Sequence, residues 1–323
     1  MMCLIRFFFS CLVLLPGLVI AQSGFPDRPV KIIVPYTASG VADLIARELA
    51  TRLSNKWNQP VVVENRAGAG ATLGMDYVAK SEANGYTLAF SAVSPITLSP
   101  LVMSVPYDPL KDFVAVAEVM YSPVYVLATP KLGAKSFEEV MTAIKTKPGS
   151  ISIATSGYGT VGHLMVEQLQ KKSGGKFTHI PYKGSGGQVL TDAMGGQFDI
   201  LLINPTSNIN NLIEQQKFRV LAVSAPQRMA TQAQTKTLQE FGYPEANLVS
   251  LFGFFAPKRT PEEIVTKLNT QINQVLSDMS VQEGIKKAQN VPVSGSAGDF
   301  SRKIQRDYLE NVKIVKEANI TAD

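Results

Sequence analysis

Four short segments of the sequence combine small residues, hydroxyl side chains and the expected start of a helix. They are "VPYTASG" before Val41, "AFSAVSP" after Tyr86, "IATSGYGT" before Val161 and "IPYKGSGG" before Gln188. The first N–H groups of a helix lack partners within it, and the helix dipole is positive there, so such corners favour an anion. One corner of this kind occurs in any α/β protein. Two in each half of the chain predict that some of them face one cleft and bind an anion there.

Residues that often catalyse reactions lack their usual partners in this sequence. His163 and His179 belong to no cluster of Cys, His and carboxylate residues in the sequence that could complete a metal site, so we predict none. Ser156 and Ser185 lack the G-x-S-x-G pattern of a nucleophilic serine. We therefore predict no catalytic residue and no enzyme. A hydrolase that uses Ser156 or Ser185 with His163 stays open as an alternative.

Two further features carry weaker signals. The segment "NRAGAGATLG" spells G-x-G-x-x-x-G from Gly68 to Gly74, but the next strand ends without an acidic residue for a ribose hydroxyl. We read these glycines as turn and packing residues and predict no cofactor. Lys183, in "PYKG", either pairs with an anion or lies at the rim of a cleft, and the sequence leaves both open.

The N-terminus has the layout of a secretory signal peptide. One charge at Arg6 precedes an apolar run from Phe7 to Ile20, and a small residue follows at Ala21. The apolar run is shorter than an ordinary membrane-spanning helix. We predict a signal peptide over residues 1–21, export to the periplasm, and a mature protein that is not inserted into a membrane.

The composition fits a folded protein of two domains. The chain has 323 residues, of which 45% are hydrophobic and 18% are charged. Both cysteines, Cys3 and Cys11, lie in the predicted signal peptide, so the core does not depend on disulfides. The net charge is +5, but no Lys/Arg block is dense enough to predict nucleic-acid binding.

Short β-like runs alternate with helical patterns, which is typical of α/β units. The predicted strands of the first half are "VKIIVPY", "PVVVEN" and "YTLAFS", and a second series follows with "SPVYVLATP", "SISIATS", "FTHIPY", "FDILLIN" and "FRVLAVS". After the strand-like "SLFGFFAP" come a helix capped by Thr260 and Glu263 and a last helix over about 299–317. We predict two α/β lobes, residues 22–122 plus 251–323 and residues 123–250, with the ligand cleft between them.

Several segments, taken together, resemble one family of receptors. They are "FPDRPVKIIVPYTASGVADLIARELATRL", "QPVVVENRAGAGATLGMDYVAKSEANGYTLAF", "SGYGTVGHLMVEQL", "IPYKGSGGQVLTDAMGGQFDI", "RVLAVS" and "FGFFAPKRTP". In order and spacing they are similar to the extracytoplasmic solute receptors of tripartite tricarboxylate transporters, the Bug family, from about Phe25 to the C-terminus. The resemblance implies a two-lobed, type II periplasmic binding protein. It also implies a monomer that captures an organic acid and delivers it to a transporter with one large and one small membrane subunit.

The resemblance also implies a binding site. Its first loop, with Asp43 beside it as a supporting residue, and the facing loop with His163 would hold a carboxylate largely through backbone N–H groups and water. Residues 91–94, residues 182–184 and Asn204, at the end of a predicted strand, would complete the wall of the site. The implied ligand-binding residues are Tyr36, Thr37, Ala38, Ser39, Gly40, Ser91, Ala92, Val93, Ser94, Ser156, Gly157, Tyr158, Gly159, Thr160, His163, Tyr182, Lys183, Gly184 and Asn204.

The chain departs from the family pattern at five positions, of which Thr37 and Ala38 stand where the first loop usually has prolines. Ser39 stands where the first loop usually has a glycine, Asn204 where an aspartate is common, and Leu251 where a Trp or Tyr is frequent. The last two changes predict a less acidic and roomier pocket, so a dicarboxylate preference does not transfer directly. A sensory receptor with the same pocket, which reports to a membrane kinase, is the alternative to transport.

Overall fold

The computed structural model describes residues 24–321, so the predicted signal peptide lies outside the described residues. Within that range eleven strands form two sheets. The strands are β1 (Val30–Val34), β2 (Val61–Asn65), β3 (Thr87–Ala92), β4 (Phe113–Ser122), β5 (Val124–Ala128), β6 (Ser152–Thr155), β7 (Thr178–Pro181), β8 (Ile200–Ile203), β9 (Arg219–Ser224), β10 (Ser250–Pro257) and β11 (Val291–Pro292).

Eleven α-helices pack on these sheets within the described range. They are α1 (Val41–Trp57), α2 (Thr72–Ala79), α3 (Ser94–Thr97), α4 (Ser99–Val102), α5 (Phe137–Thr146), α6 (Val161–Ser173), α7 (Gly187–Met194), α8 (Ser207–Glu214), α9 (Glu262–Leu276), α10 (Met279–Lys287) and α11 (Ala297–Ala318). Among residues 24–321, no helix combines the length and the apolar character that crossing a bilayer requires.

Each lobe is built around one mixed sheet. The first sheet has the order β11-β4-β10-β3-β1-β2, in which β1 runs parallel to β2 and β3 while β10 runs antiparallel to β3 and β4. The second has the order β7-β6-β8-β5-β9, with β5 antiparallel to both of its neighbours. We call the two units lobe 1 and lobe 2, and the boundaries at residues 122 and 250 stay a prediction. The chain passes between the sheets where β4 meets β5 and again before β10.

Local sequence explains where several helices begin. Thr160 caps α6 by accepting a hydrogen bond from the His163 N–H, and Ser136 caps α5 in the same way from the Glu139 N–H. The buried stripe of α1 (Val41, Ile45, Leu49, Leu53) faces the first sheet with period 3.6, as predicted. Leu44, predicted to lie on the same face, is 41% exposed because it lies at the edge of the stripe.

Three predicted features of secondary structure are wrong or missing. The sequence analysis assigned no strand to residues 113–121, yet this segment forms most of β4, the longest strand. Only Pro123 separates β4 from β5, and the sequence analysis placed a strand from Ser122 onward and none before it. Thr260 does not cap α9, because its hydroxyl donates to the Pro257 carbonyl and Pro261 precedes the first helical residue. The helix predicted over residues 260–280 ends at Leu276, and Met279 begins the separate helix α10.

Candidate functional site

A cavity of about 30 Å³ lies between the two lobes, at the ends of their strands. By the usual requirement of roughly 10–15 Å³ for one water molecule, it takes only a compact ligand in this closed arrangement. Six of the predicted ligand-binding residues line it, and they come from both lobes: Tyr36, Ala92, Ser94, Ser156, Thr160 and Asn204.

Helix α1 presents its N-terminus to this cavity. Its N-cap residue is Gly40, which has no side chain to accept hydrogen bonds, and Val41 and Ala42 line the cavity. The N–H groups of Gly40, Val41, Ala42 and Asp43 donate no hydrogen bond within the described part of the chain. Val41, Ala42 and Asp43 are at most 3% exposed. Buried helix ends without partners are rare, and an anion satisfies such groups.

Helix α6 presents a second N-terminus from lobe 2. Thr160, Val161 and Gly162 line the same cavity, and their N–H groups also lack acceptors in residues 24–321. The Thr160 hydroxyl donates to the Gly157 carbonyl at 2.6 Å, which closes the loop that carries Ser156. Two positive helix ends therefore face one cavity from opposite lobes, an arrangement suited to one carboxylate.

Tyr36 supplies a neutral hydroxyl to the wall of the cavity. Its phenol lies 3.3 Å from the Ser91 hydroxyl, and both residues are buried. Burial raises the pKa of Tyr36 to about 12, so the phenol stays protonated and available as a donor. Ser91 therefore does not line the cavity, and its hydroxyl orients the Tyr36 hydroxyl. Val93 is likewise buried and donates its N–H to the Leu251 carbonyl.

Several predicted site residues lie in direct contacts between the lobes and do not line the cavity. The Gly186 N–H donates to Thr37 Oγ1 at 3.0 Å, and the Ser99 hydroxyl donates to the Gly159 carbonyl at 2.9 Å. A Cβ atom at Gly70 would lie 2.2 Å from the Tyr158 carbonyl. The remaining members of this group, which also lie at or beside these contacts, are Ala38, Gly157 and Gly184. The structure is therefore a closed form, in which backbone groups of each lobe contact the other lobe directly.

Tyr182 and Lys183 occupy the margin of the closed cleft. The Tyr182 hydroxyl donates to Asp192 at 2.6 Å, within lobe 2. Lys183 is exposed and forms no ion pair with any described residue, next to the contact between Gly184 and Thr37. It lies at the rim, so of the two roles that the sequence left open the structure favours the rim position.

Asp43 holds the first loop in place. One carboxylate oxygen accepts from the Ser39 N–H at 2.9 Å, and the other accepts from Arg47 and from Asn65. Burial alone would raise the pKa of Asp43, but the hydrogen bonds from Arg47, Ser39 and Asn65 outweigh it and lower the pKa below its ordinary value. The ionised carboxylate thus ties the loop to α1 and β2.

Ser39, which stands where the family pattern has a glycine, adopts a backbone conformation that favours glycine. Its φ is 67°, in the left-handed region, and its side chain is exposed and forms no hydrogen bond with the described residues. A non-glycine residue in this region costs about 1–2 kcal/mol. The serine is therefore accommodated through the hydrogen bond from its N–H to Asp43.

We expect Ser39→Gly to raise the free energy of unfolding by up to about 1 kcal/mol, since relief of the left-handed strain exceeds the added chain entropy. Ligand affinity should not change. Urea denaturation and calorimetric titration measure the two quantities. Ser207→Gly, at the exposed first residue of α8, is the matched control and should lower stability. A tenfold loss of affinity in Ser39→Gly would instead make the serine a ligand contact.

The two histidines lie behind the second loop and not in the cavity. Their rings stack with centroids 5.3 Å apart and an interplanar angle of 8°, and Tyr158 packs edge-on against both. His163 Nδ1 accepts from the Gly159 N–H, and His163 Nε2 lies 3.9 Å from Glu167. Neither ring nitrogen of His163 contacts Ser156 or Ser185, so the described residues form no Ser–His pair. His163 supports the loop that carries Ser156.

Asn204 connects the cavity to the two chain crossings. Its amide nitrogen donates to the Pro123 carbonyl at 2.9 Å and to the Ser250 hydroxyl at 3.1 Å. A longer contact of 3.4 Å reaches the Ser122 carbonyl. Leu251, expected to widen the pocket, is absent from the lining and packs against the lobe 1 core cluster that contains Phe255 and Phe300.

Sequence reasoning missed ten residues that line the cavity. Ser185 comes from the corner before α7, and the others are mostly apolar: Val41, Ala42, Val124, Val161, Gly162, Leu202, Ile203, Ser250 and Phe252. Their apolar character is typical of buried core, and only the meeting of two lobes places them in one cavity. No Asp, Glu, Lys, Arg or His is among the lining residues, and the described residues contain no cluster suited to a metal ion.

Comparison with known proteins places this geometry in one family. The family described as "Tripartite tricarboxylate transporter family receptor" matches residues 45–320. Protein BugT of Bordetella pertussis is 36% identical over 293 residues, which are 89% of this chain and 89% of that protein.

Solved structures with the same fold include periplasmic binding proteins. The periplasmic binding protein BugD is 28% identical with a TM-score of 0.86, over 92% of this chain and 99% of that one. An R. palustris protein solved with adipate is 31% identical with a TM-score of 0.86, over 92% and 99%. The prediction of a two-lobed α/β periplasmic binding protein fold is confirmed. The chain belongs to the tripartite tricarboxylate transporter receptor family.

Proposed function

We propose that this protein is a periplasmic receptor that captures a small organic carboxylate between its lobes. The observation that carries the proposal is the pair of buried N-termini of α1 and α6, which face one cavity with N–H groups that have no acceptor in the described chain. Charge-assisted hydrogen bonds to such groups are about twice as strong as neutral ones. A carboxylate therefore forms the strongest hydrogen bonds at this position, and the protein needs no charged side chain to bind it.

The proposed contacts divide into two groups. The carboxylate accepts from the N–H groups of Val41 and Ala42 on one side and of Val161 and Gly162 on the other, directly or through water. The hydroxyls of Tyr36, Ser94, Ser156, Thr160 and Ser185 surround these groups. The remaining predicted residues of the two loops act by closing the lobes or by holding the loops.

Delivery of the ligand to a membrane transporter with one large and one small subunit is part of the same proposal. It rests on membership of the receptor family. Export through a signal peptide cleaved after Ala21, and action as a monomer, are its remaining parts. A sensory receptor would have the same pocket, so binding measurements with the two kinds of membrane partner distinguish transport from sensing.

A thermal-shift screen of residues 22–323 tests the proposal. We expect at least one compound among mono-, di- and tricarboxylates and aromatic acids to raise the melting temperature. A ligand at 100 times its dissociation constant adds about 2.7 kcal/mol to the free energy of unfolding. Matched amides and alcohols, which lack the charge, should have no effect. If no carboxylate shifts the protein after denaturation and refolding to remove any co-purified ligand, the proposal is wrong.

A serine hydrolase is the competing function, and it requires a base beside Ser156 or Ser185. The contacts of His163 with Gly159 and Glu167 argue against it. Turnover of a chromogenic ester that disappears in Ser156→Ala or Ser185→Ala would favour the hydrolase.

A further inference from the structure

The wall of the cavity beside the chain crossings has a fixed pattern of donors and acceptors. The Asn204 amide nitrogen faces the Pro123 carbonyl and the Ser250 hydroxyl. Only the nitrogen side of the amide can donate to a carbonyl oxygen, so these contacts determine the orientation of the side chain. Asn204 Oδ1 has no donor among the described residues, and Asn204 lines the cavity. The oxygen is thus the acceptor left for a ligand.

Ser250 adds a donor beside this acceptor. Its hydroxyl oxygen accepts from Asn204, its proton has no acceptor in the described part of the chain, and the residue is only 5% exposed. Ser250 also lines the cavity. A ligand group that donates to Asn204 and accepts from Ser250 satisfies both, and an alcohol hydroxyl has this pair of capacities. A buried polar group left without a partner costs about 1–3 kcal/mol.

A second charged group on the ligand finds no counterpart in this wall. The rest of it is apolar, formed by Val124, Leu202 and Phe252. A second carboxylate would face Asn204 Oδ1, another acceptor, without a cation or a helix N-terminus to stabilise it. An ammonium group would lack a carboxylate partner. Burial of an unpaired ion costs more than burial of a neutral hydroxyl.

We propose that the ligand is a compact monocarboxylate with one alcohol hydroxyl, in which the carboxylate binds the helix starts of α1 and α6 and the hydroxyl binds Asn204 and Ser250. This inference rests on the proposed function, because it assigns the ligand class of the same cavity. It differs from the expectation that the relative solved with adipate raises, which is a dicarboxylate.

A series of four-carbon acids tests the inference, because its members differ only at the terminal carbon. They are butyrate, γ-hydroxybutyrate, γ-aminobutyrate and succinate, and the three-carbon series of propionate, β-hydroxypropionate, β-alanine and malonate varies the length. Titration calorimetry on the full mature chain measures each affinity. In at least one series we expect the hydroxy acid to bind about tenfold or more tightly than each of the other three.

Two variants test the placement of the hydroxyl. Ser250→Ala should bring the hydroxy acid and the alkyl acid to within about threefold of each other, since the donor is removed. Ser185→Ala, in another wall of the same cavity, should preserve the ratio of the two affinities even where it changes each of them. Circular dichroism and the melting temperature without ligand show whether each variant folds.

The outcomes separate the ligand class from the function. Tightest binding of the diacid, the amino acid or the alkyl acid overturns the ligand class and leaves a carboxylate receptor. A preserved ratio in folded Ser250→Ala overturns the placement. If neither series binds but another carboxylate stabilises the protein in the thermal-shift screen, the ligand class is again wrong. If no carboxylate binds at all, the proposed function fails with it.

Discussion

Gly186→Ala is expected to weaken ligand binding by at least about 100-fold while the protein stays folded. A Cβ atom at Gly186 would lie 2.2 Å from the Ala38 carbonyl and 2.5 Å from Thr37 Oγ1, both on the opposite lobe. Its backbone has φ −85° and ψ −162°, an extended conformation that alanine adopts without strain. The added methyl group therefore destabilises the closed form and leaves the fold of each lobe unchanged. Affinity falls by the factor by which the closed form is depopulated.

Gly187→Ala is the matched control, since a Cβ atom there meets nothing within 4 Å. Its affinity should equal that of the unaltered protein. Titration calorimetry gives the affinities, and small-angle scattering should show a decrease in the radius of gyration with ligand for Gly187→Ala but not for Gly186→Ala. Equal affinity of the two variants would mean that ligand binding does not require this closed form.

Closure by backbone contacts explains why glycines are frequent at the meeting of the lobes. Gly70, Gly159 and Gly186 each lie so close to the opposite lobe that a Cβ atom would come within 3.0 Å of it. The glycines of "NRAGAGATLG" belong to this arrangement through Gly70, and Gly74 lies against Pro35 within lobe 1. This agrees with the reading of that segment as turn and packing residues.

The sequence predicts the features of this protein that depend on neighbours along the chain. The buried stripe of α1 and the caps at Ser136 and Thr160 follow from residue spacing alone, and the structure has them. The corners before α1 and α6 are also local, because a strand that ends in small residues before a helix leaves N–H groups free. Local reasoning failed for β4, where Pro123 divides an apolar run into two strands that join different sheets.

Features that depend on the meeting of the two lobes could not be predicted in the same way. Leu202 and Phe252 are ordinary core residues in their own strands, and only closure makes them parts of one cavity wall. Asn204 was predicted to shape the pocket. The hydrogen-bond partners of its amide at the two chain crossings, however, lie about 46 to 82 residues away in the sequence. The sequence marks the residue as unusual for the family, whereas its hydrogen bonds require the fold.

The stability of the protein should decrease as the pH falls from 6.5 toward 4. Burial lowers the pKa of His163 to about 4, with a contribution from His179, and burial alone lowers the pKa of His179 to about 4. The unfolded chain has ordinary histidines with pKa near 6.5. Between these values the unfolded state binds more protons, so acid favours unfolding. His163, which is 2% exposed, accounts for about 3 kcal/mol over the whole interval.

Urea denaturation at a series of pH values from 7.5 to about 5 measures this dependence, above the range in which most carboxylates titrate. His163→Gln is the informative variant, because glutamine keeps an acceptor for the Gly159 N–H and does not titrate. Its free energy of unfolding should depend less on pH than that of the unaltered protein, with the difference growing below pH 6.5. Parallel curves for the two proteins would mean that His163 is not the titrating group.

The same titration should weaken ligand binding at low pH, beyond what protonation of the ligand explains. Protonation of His163 Nδ1 removes the acceptor of the Gly159 N–H, and Gly159 accepts from Ser99 across the cleft. Glu167, at 3.9 Å from Nε2, opposes this loss only in part, because burial raises its own pKa. Because the pKa of His163 in the folded protein is about 4, its imidazole stays mostly neutral at pH 5. Affinity should therefore decrease more in the unaltered protein than in His163→Gln only as the pH is lowered from 5 toward 4. The loop from Ser156 to Thr160, which we propose binds the ligand, is thus coupled to a buried imidazole that lies outside the cavity.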